Sequence, residues 1–248
     1  MPENLVLLHG FAGTRRTWDG IVQLLASERY TPLALDLPGH GQAVDARAPL
    51  HWESHPRAGI TFAACVERIL AQSPPRFTLC GYSLGGRLGL HVALAAPERV
   101  SRLVLISSTA GIADVTERAE RRAADDTLAE DLEQRPFTEF MDRWQAQQVF
   151  AADPPEVHAE MRAEQQCNDP LALAAVLRGI GTGAMTPLWD RLGELMMPVT
   201  VLVGERDEKF HALGRRMVEL LPDGELAIVP GGHRLPLENP RAVVDTLA

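Results

Sequence analysis

One serine in this sequence has neighbours at a spacing that suits nucleophilic or proton-transfer chemistry. Ser83 lies between Gly81 and Gly85 in a G-x-S-x-G pattern, after an apolar run and before a helical one. Such a turn holds the serine in a strained backbone conformation, and the glycines let the strand and the helix pass closely. The turn would also direct the backbone N–H of Leu84 to an oxyanion site. The alternative interpretation is a glycine-rich surface turn without a catalytic role. The rest of the sequence has to decide between a catalytic turn and a surface turn.

A carboxylate and a histidine follow two later apolar runs. Asp207 and His233 each stand just after a run that we predict to be a strand. A serine hydroxyl needs a histidine to take its proton, and the histidine needs a carboxylate to fix its tautomer and stabilise its charge. Taken alone, Asp207 would also suit the cap of the following helix, and His233 would also suit a turn. Together, the three positions predict Ser83, Asp207 and His233 as catalytic residues. Glu205 is the alternative acid, because it lies nearer the strand end.

The first apolar run predicts a second donor for the same site. Residues 5–8 form this short run, and His9, Gly10 and Phe11 follow it. A glycine directly after a strand lets the backbone approach a ligand closely. We therefore predict the backbone N–H of Phe11 as the second oxyanion donor, beside that of Leu84. His9 is predicted to make structural hydrogen bonds beneath this loop.

The elements that would position these residues alternate between strands and helices. Apolar runs predict strands at residues 5–8, 33–35, 77–80, 100–107, 199–204 and 226–229. Helical patterns between them predict an α/β fold, with a doubly wound, mostly parallel sheet of about six strands. Binding sites in such sheets lie at the carboxyl ends of the strands, which is where the predicted catalytic residues fall.

The strand pattern stops between residues 111 and 187. Helical stretches separated by prolines replace it there, at residues 114–133, 137–147, 155–166 and 171–180. We therefore predict an α/β core, made of residues 1–110 and 188–248, and an inserted helical cap, made of residues 111–187.

Composition and charge argue against several classes of protein. The 248 residues are enough for one sizeable α/β domain, and the net charge of −9 argues against nucleic-acid or anionic-membrane partners. No apolar segment approaches the length of a membrane span and the first residues do not form a signal peptide, so we expect a cytoplasmic protein. We expect a small-molecule substrate, and the sequence leaves the oligomeric state open.

Candidate metal ligands are few and scattered. Cys65, Cys80 and Cys167 have no metal-binding spacing and are predicted to be buried thiols in a reducing compartment. His51 and His55 have the i,i+4 spacing that suits a metal on a helix, but no third ligand is evident. We therefore expect a surface loop there, and we expect neither a metal nor a cofactor.

The whole length of the chain resembles the α/β-hydrolase superfamily. The motifs that carry the resemblance are residues 9–11, residues 36–41, the G-x-S-x-G turn, Asp207 and His233. The resemblance implies the α/β-hydrolase fold and a triad in the chain order serine, acid, histidine that this superfamily uses. It does not indicate a substrate.

A finer resemblance is to the MenH family of the menaquinone pathway, the 2-succinyl-6-hydroxy-2,4-cyclohexadiene-1-carboxylate synthases. The similar positions are residues 81–87, 118–121 and 204–210, with Phe140, Trp144, Val149 and Phe150. The resemblance implies a lyase whose triad abstracts a proton and expels pyruvate from a polyanionic substrate. The substrate-binding residues that it implies are Tyr82, Arg87, Arg121 and Trp144. Guanidinium groups are natural partners for carboxylates.

Structural roles are the alternative for three of those residues. Arg121 lies four residues after Glu117, so a solvated surface pair worth roughly a few tenths of a kcal/mol would also explain it. Arg87 would also suit a structural ion pair on the helix after the turn. Trp144 would also suit plain packing within the cap.

Two positions depart from the family pattern. Gln165 stands where the family has another substrate-binding arginine, with Arg162 one helical turn away, and Pro236 stands where the family has a second histidine. A carboxylesterase acting on small esters needs the same triad without those cations, so it is the alternative function. A non-catalytic ligand-binding relative is the third alternative, although binding alone would not require all three triad residues.

Overall fold

The structure, a computed structural model, describes residues 2–26, 28–41 and 59–247. Within these ranges six strands form one sheet: β1 (Glu3–Leu8), β2 (Tyr30–Leu35), β3 (Phe77–Tyr82), β4 (Val100–Ile106), β5 (Val199–Gly204) and β6 (Gly224–Val229). Their order is β2-β1-β3-β4-β5-β6, and every neighbouring pair is parallel. The predicted α/β fold with a parallel sheet is therefore confirmed.

Helices connect the strands. In the described ranges they are α1 (Asp19–Leu24), α2 (Phe62–Gln72), α3 (Leu84–Ala95), α4 (Val115–Gln134), α5 (Phe137–Gln145), α6 (Pro155–Gln165), α7 (Pro170–Ile180), α8 (Glu208–Val218), α9 (Leu235–Glu238) and α10 (Pro240–Leu247). Side-chain caps fix where some of them begin. Thr61 accepts from the N–H of Ala64 at α2, and Asp169 accepts from that of Ala172 at α7.

Apolar side chains pack on both faces of the sheet. In β1, Leu5 and Leu7 belong to one apolar cluster, whereas Val6 and Leu8 belong to another, and none of the four is exposed. Successive side chains of a strand point to opposite faces, so both faces of β1 are covered. This is why the run is continuously apolar, and it gives the strand ends a rigid base.

The stretch between β4 and β5 contains α4, α5, α6 and α7 and is called the helical segment below. α4 packs along α7, and an apolar cluster that includes Leu132, Phe140 and Leu177 joins them to Ala12 in the loop after β1. The helices predicted between residues 111 and 187 are therefore present. The division into a core of residues 1–110 and 188–248 and a cap of residues 111–187 stays a prediction.

The predictions for the candidate metal ligands differ in how they compare with the structure. Cys65 and Cys80 are buried as predicted, whereas Cys167 is exposed, because it lies in the turn after α6. His51 and His55 lie outside the described residues. Among the residues that the structure does describe, no group of three His, Cys, Asp or Glu side chains is arranged to hold a metal ion. None of the described helices is both long enough and apolar enough to cross a membrane.

Candidate active site

Ser83 stands in the sharp turn that joins β3 to α3. Its φ of 50° and ψ of −107° lie in a region that residues with a side chain rarely adopt. A Cβ on Gly81 would lie 2.4 Å from the Gly85 carbonyl oxygen, and a Cβ on Gly85 would lie 2.1 Å from that of Leu8. Glycine is therefore required at both positions, because strand and helix approach too closely for any side chain.

The three predicted catalytic side chains lie in one hydrogen-bonded line. His233 Nδ1 is 2.7 Å from Asp207 Oδ2, and His233 Nε2 is 3.4 Å from Ser83 Oγ. When Nδ1–H donates to the carboxylate, Nε2 is left to accept the serine proton. Hydrogen bonds between such groups are often long before substrate binds, as the one to Ser83 is here. The arrangement can activate the serine oxygen and hold the resulting imidazolium charge against Asp207.

The structure brings Asp207, and not Glu205, to the histidine. The Glu205 side chain is exposed, and its backbone N–H donates to the carbonyl oxygen of Val229 at 2.8 Å. Asp207 precedes α8, but its side chain makes no capping hydrogen bond, and its backbone carbonyl accepts from the first turn of that helix instead. The carboxylate of Asp207 is therefore available to His233.

Aromatic rings surround the imidazole of His233. The ring centroids of Phe210, Tyr82 and Phe150 lie 4.7, 5.6 and 5.8 Å from that of the histidine. His233 and Asp207 are each 5% exposed. An imidazolium and a carboxylate attract each other more strongly in such a water-poor surrounding than in bulk water.

Buried hydrogen bonds fix the loop that carries Phe11. His9 Nδ1 donates to the Gly10 carbonyl oxygen at 2.7 Å, and its Nε2 accepts from the Leu37 N–H at 3.0 Å. Burial lowers the pKa of His9 to about 4, so the ring is neutral at pH 7. As predicted, His9 has a structural role: it ties the loop after β1 to the loop after β2.

The helical segment holds the same loop from another side. Glu164, a buried residue of α6, accepts from the Thr14 N–H at 2.7 Å. Asn168, in the turn after α6, donates from Nδ2 to the Ala12 carbonyl oxygen at 3.0 Å. The position of Phe11 therefore depends on contacts from both the sheet and the helical segment.

The two predicted oxyanion donors come from different elements. Phe11 follows β1 in the loop just described, and Leu84 is the first residue of α3. The first N–H groups of a helix have no partner within the helix, so that of Leu84 is available to a ligand. Convergence of the two N–H groups on one point near Ser83 stays a prediction.

A pocket with about 350 Å³ of empty space, partly open to solvent, adjoins Ser83. The lining residues from strand-end loops and the elements beside them are Gly10, Phe11, Gly13, Thr17, Tyr82, Ser83, His233 and Arg234. Those from the helical segment are Trp144, Phe150 and Met161. The helical segment thus supplies an apolar and largely aromatic wall, which is typical of small-molecule sites.

Two of the four predicted substrate-binding residues, Tyr82 and Trp144, line this pocket. Tyr82 packs over Gly10, where a Cβ would lie 2.8 Å from the tyrosine ring. Burial raises the pKa of the Tyr82 phenol, so it keeps its proton and can donate a hydrogen bond. The ring centroid of Trp144 lies 5.8 Å from that of Phe140 and 4.7 Å from that of Phe11, so Trp144 packs both within the helical segment and against the loop after β1.

The other two, Arg87 and Arg121, are not among the described residues that line the pocket. Arg87 is buried and donates from Nη1 to the Ile180 carbonyl oxygen at 2.7 Å, and burial lowers its pKa to about 9. Arg121 donates from Nε to Asp125 at 2.8 Å, so its partner is Asp125 and not Glu117. Asp125 is fully buried, and a buried carboxylate requires a cation nearby. Substrate binding by these two arginines stays a prediction.

The position where the resemblance to the MenH family implies another arginine lies outside the described lining of the pocket. Gln165 has no exposed surface, and its side-chain oxygen accepts from Gln145 Nε2 at 3.0 Å. Arg162, the predicted substitute, pairs with Asp142 of α5. Neither Gln165 nor Arg162 belongs to the described lining of the pocket.

Sequence reasoning missed Arg234 and Asp153. Arg234 lines the pocket, and its Nη1 lies 2.9 Å from Asp153 Oδ2, with both side chains 1% exposed. The sequence contains one hint of this, an arginine directly after the predicted catalytic histidine. It contains no hint for Asp153, which lies in a turn of the helical segment far from Arg234 along the chain.

Comparisons with known proteins extend over nearly the whole chain. The model of the alpha/beta hydrolase family matches residues 5–246. A Bacillus subtilis (strain 168) protein, provisionally named 2-succinyl-6-hydroxy-2,4-cyclohexadiene-1-carboxylate synthase, is 34% identical over 245 residues, covering 96% of this chain and 86% of that protein. A Salmonella agona (strain SL483) protein of that name is 32% identical over 247 residues, covering 99% and 92%. The solved structure of MenH from S. aureus has a TM-score of 0.87 and 30% identity, covering 99% of this chain and 91% of that one.

Proposed function

Because the chain belongs to the alpha/beta hydrolase family and is most like its MenH members, we propose that it is a MenH-like lyase that eliminates pyruvate from a polyanionic menaquinone precursor. The protein is an enzyme of the lyase or hydrolase type. The observation that supports the lyase most strongly is the line from Ser83 through His233 to Asp207, in a chain similar over nearly its full length to proteins named for that activity.

In the proposed reaction Ser83 is the base. His233 takes the proton of the serine hydroxyl, and Asp207 stabilises the imidazolium that forms. The serine oxygen then removes a proton from a substrate carbon. The electrons of that C–H bond form a double bond, and the bond to the leaving group breaks. The leaving group departs with the bonding electrons and becomes pyruvate when it gains a proton.

The backbone N–H groups of Phe11 and Leu84 are the proposed donors to the substrate oxygen that gains negative charge. Loss of one donor of this kind typically lowers kcat by about 10²–10³-fold. A crystal structure with a bound anionic inhibitor tests this role. Both nitrogen atoms are expected within hydrogen-bond distance of the same ligand oxygen. If either N–H points away from the ligand, the role has to be withdrawn for that residue.

The proposed substrate contacts fall into two groups, residues that line the pocket and residues that lie outside its described lining. Tyr82 and Trp144 line the pocket and are the proposed contacts in the structure as it stands. Arg87 and Arg121 each give one N–H group, to Ile180 and to Asp125, and lie outside the described lining of the pocket, so their remaining N–H groups would meet substrate only after a rearrangement that brings them to the pocket.

The decisive experiment measures pyruvate release from the authentic menaquinone precursor, with hydrolysis of short aryl esters measured beside it. We expect the wild type to release pyruvate with a much higher kcat/KM than it shows on the esters. The Ser83→Ala variant is the matched control and should release almost none. Absence of pyruvate release from the wild type would refute the lyase.

The charge of the pocket favours one second candidate, a carboxylesterase acting on small esters. Among the described lining residues, Arg234 alone carries a permanent positive charge. A neutral ester needs the triad and the oxyanion donors but no set of cations. Ester hydrolysis that depends on Ser83, without pyruvate release, would establish this second function. Turnover of neither substrate would favour a non-catalytic ligand-binding relative.

Arg121→Ala, made together with Asp125→Asn so that no unpaired carboxylate stays buried, separates the two enzymes further. A charge-assisted hydrogen bond to a substrate carboxylate contributes about 1.5–3 kcal/mol, so the lyase should lose about 10–100-fold in kcat/KM on the precursor. Turnover of a neutral aryl ester should change by less than about threefold, because a neutral ester offers no charge to bind. An unchanged kcat/KM on the precursor would remove Arg121 from the proposed substrate contacts.

A further inference from the structure

Arg234 is a cation in the wall of the Ser83 pocket, next in sequence to His233. Its guanidinium carbon lies 3.8 Å from the centroid of the Phe150 ring, so the flat face of the group rests on an aromatic surface. Its side chain is 1% exposed. A guanidinium stacked in this way is held in one orientation, with its N–H groups at the edge of the plane.

The hydrogen-bonding capacity of Arg234 is underused. Nη1 lies 2.9 Å from Asp153 Oδ2, yet neither Nη1 nor Nη2 makes a well-aligned hydrogen bond to any described residue. A guanidinium has five N–H donors, and a buried donor without a partner costs free energy. A ligand in the pocket that brings acceptor oxygens would satisfy these donors.

Asp153 and Phe150 belong to one turn of the helical segment. The Asp153 N–H donates to the Phe150 carbonyl oxygen at 3.1 Å, so the carboxylate and the ring that contact Arg234 come from one hydrogen-bonded turn. Asp153 keeps the guanidinium charge compensated when the pocket is empty. Its attraction also counteracts the effect of burial, which lowers the pKa of Arg234.

We propose that Arg234 binds a carboxylate group of the substrate and gives the pocket its preference for anionic ligands. Planar, bidentate recognition of a carboxylate is what the edge of a guanidinium provides. This inference rests on the proposed function for its ligand class, since a polyanionic substrate needs cations in the pocket. Arg234 would then supply the positive charge that neither Gln165 nor Arg162 supplies, because neither belongs to the described lining of the pocket.

Arg234 has a purely structural alternative. As a buried ion pair, Arg234 and Asp153 would simply fasten the loop after β6 to the helical segment. Loss of such a fastening would lower stability and weaken every ligand equally. Discrimination between a charged and a neutral ligand of the same shape therefore distinguishes the two roles.

The experiment measures equilibrium binding to the Ser83→Ala protein, in which esters are not consumed. The two probes are an aryl monoester of succinic acid, which carries one free carboxylate, and the uncharged methyl ester of the same compound. Dissociation constants are measured by calorimetry. We expect the Ser83→Ala protein to prefer the anionic probe by about tenfold or more. Equal binding of the two probes would overturn the proposal.

The test variant replaces the whole ion pair. Arg234→Met alone would leave Asp153 as an unpaired buried charge and risks misfolding, whereas Arg234→Met with Asp153→Leu replaces both members by apolar groups. We expect the double variant to lose the anionic preference, a change of about 10–100-fold in the ratio of the two dissociation constants. Binding of the neutral probe should stay within about threefold. A folded double variant that keeps the preference would also overturn the proposal.

Two further variants complete the design. Arg234→Lys keeps the charge without the bidentate geometry and should retain part of the preference. Arg178→Met is the matched control, because Arg178 pairs with Glu133 through two hydrogen bonds outside the pocket lining and should leave the preference unchanged. These binding measurements do not require the lyase reaction. Failure of the pyruvate assay and failure of the Arg234 assignment are therefore separate results.

Discussion

His233 has a different partner at each of its ring nitrogens, and this difference decides what each group can do. Nδ1 meets Asp207 at 2.7 Å, so Nε2 is the nitrogen that faces Ser83. Phe210 and Tyr82 pack against the ring and hold it in that orientation. The proposed proton path from serine to imidazole is the same whether the substrate is an ester or a carbon acid.

Replacing Ser83 or His233 by alanine should remove nearly all activity while the fold stays intact. Each variant deletes a member of the proton path, and kcat/KM should fall by about 10³-fold or more. Circular dichroism of both variants should match the wild type, whereas His233→Ala should unfold at a lower temperature, because it leaves the Asp207 carboxylate buried without its partner. Retention of about a tenth of the wild-type kcat/KM in Ser83→Ala would contradict the assignment.

The two acids that compete in the sequence can be compared directly. Asp207→Asn should lower kcat by about 10⁴-fold, because an amide cannot stabilise the imidazolium and favours the wrong tautomer. Glu205→Gln is the matched control. It lies two residues away with an exposed side chain, so kcat should stay within about threefold of the wild type. A larger loss in Glu205→Gln than in Asp207→Asn would reverse the assignment.

At the scale of elements, the site depends on how closely α3 can approach β1 and β3. Gly81 and Gly85 permit that approach, and Ser83 carries the unusual backbone angles between them. The strain in Ser83 is tolerated because the end of β4 and the residues after it fix the turn. Its N–H donates to the Ile106 carbonyl oxygen at 2.9 Å, and its own carbonyl oxygen accepts from Ser108 Oγ at 3.0 Å.

Two glycines of α3 should respond in opposite ways to alanine. A Cβ at position 85 would lie 2.1 Å from the Leu8 carbonyl oxygen, so Gly85→Ala should cost about 3 kcal/mol or more in the free energy of unfolding. At position 89 the nearest atom, in Leu103, is 3.5 Å away. Gly89→Ala should therefore stabilise the helix by up to about 1 kcal/mol. Urea unfolding of both variants tests this, and equal stabilities would contradict the described turn.

The strands and helices could be predicted well from the sequence, because the apolar pattern of each segment agrees with its burial in the structure. A continuous apolar run such as residues 5–8 is expected only where both faces of a strand are covered, and β1 is covered on both. Parallel strands bring their carboxyl ends to one edge, so residues after three different strands could be predicted to meet.

Side-chain partners could not be predicted in the same way. Glu117 and Asp125 are equally spaced from Arg121 along α4, and only the tertiary contact of Asp125 with the Gly183 N–H at 3.0 Å decides between them. The pair of Arg234 and Asp153 joins distant parts of the chain, so no periodicity reveals it.

At the scale of the whole molecule, two neutral histidines link stability to pH. The rings of His9 and His40 lie 4.9 Å apart beneath the loops after β1 and β2, and both are fully buried. Burial lowers the pKa of His9 to about 4 and that of His40 to about 3; the neighbouring His9 lowers the latter further, whereas Asp36 raises it. Both values lie below the unfolded value of about 6.5. The unfolded state therefore binds more protons in that window, and stability falls as pH falls from about 6.5 towards 4.

Replacing one of these histidines should flatten the pH dependence. His40→Asn keeps a donor for the Pro38 carbonyl oxygen but does not titrate. Between about pH 7 and pH 5 the variant should lose about 1–2 kcal/mol less than the wild type in the free energy of unfolding. Urea unfolding at a series of pH values measures this difference. Parallel pH profiles for the two proteins would show that His40 is not the titrating group.

The wall that the helical segment gives to the pocket has an evolutionary consequence. Its residues fall within one uninterrupted interval of sequence, whereas the proposed proton-transfer groups, Ser83, Asp207 and His233, come from three loops outside it. Recombination that exchanges this single interval between genes would change which molecules enter while leaving the reacting groups in register. A chimaera built in this way must carry compatible partners for Glu164 and Asn168, which hold the loop of Phe11, and for Asp153, which pairs with Arg234. The part of the selectivity that depends on this wall can therefore be inherited as a unit, separately from the chemistry.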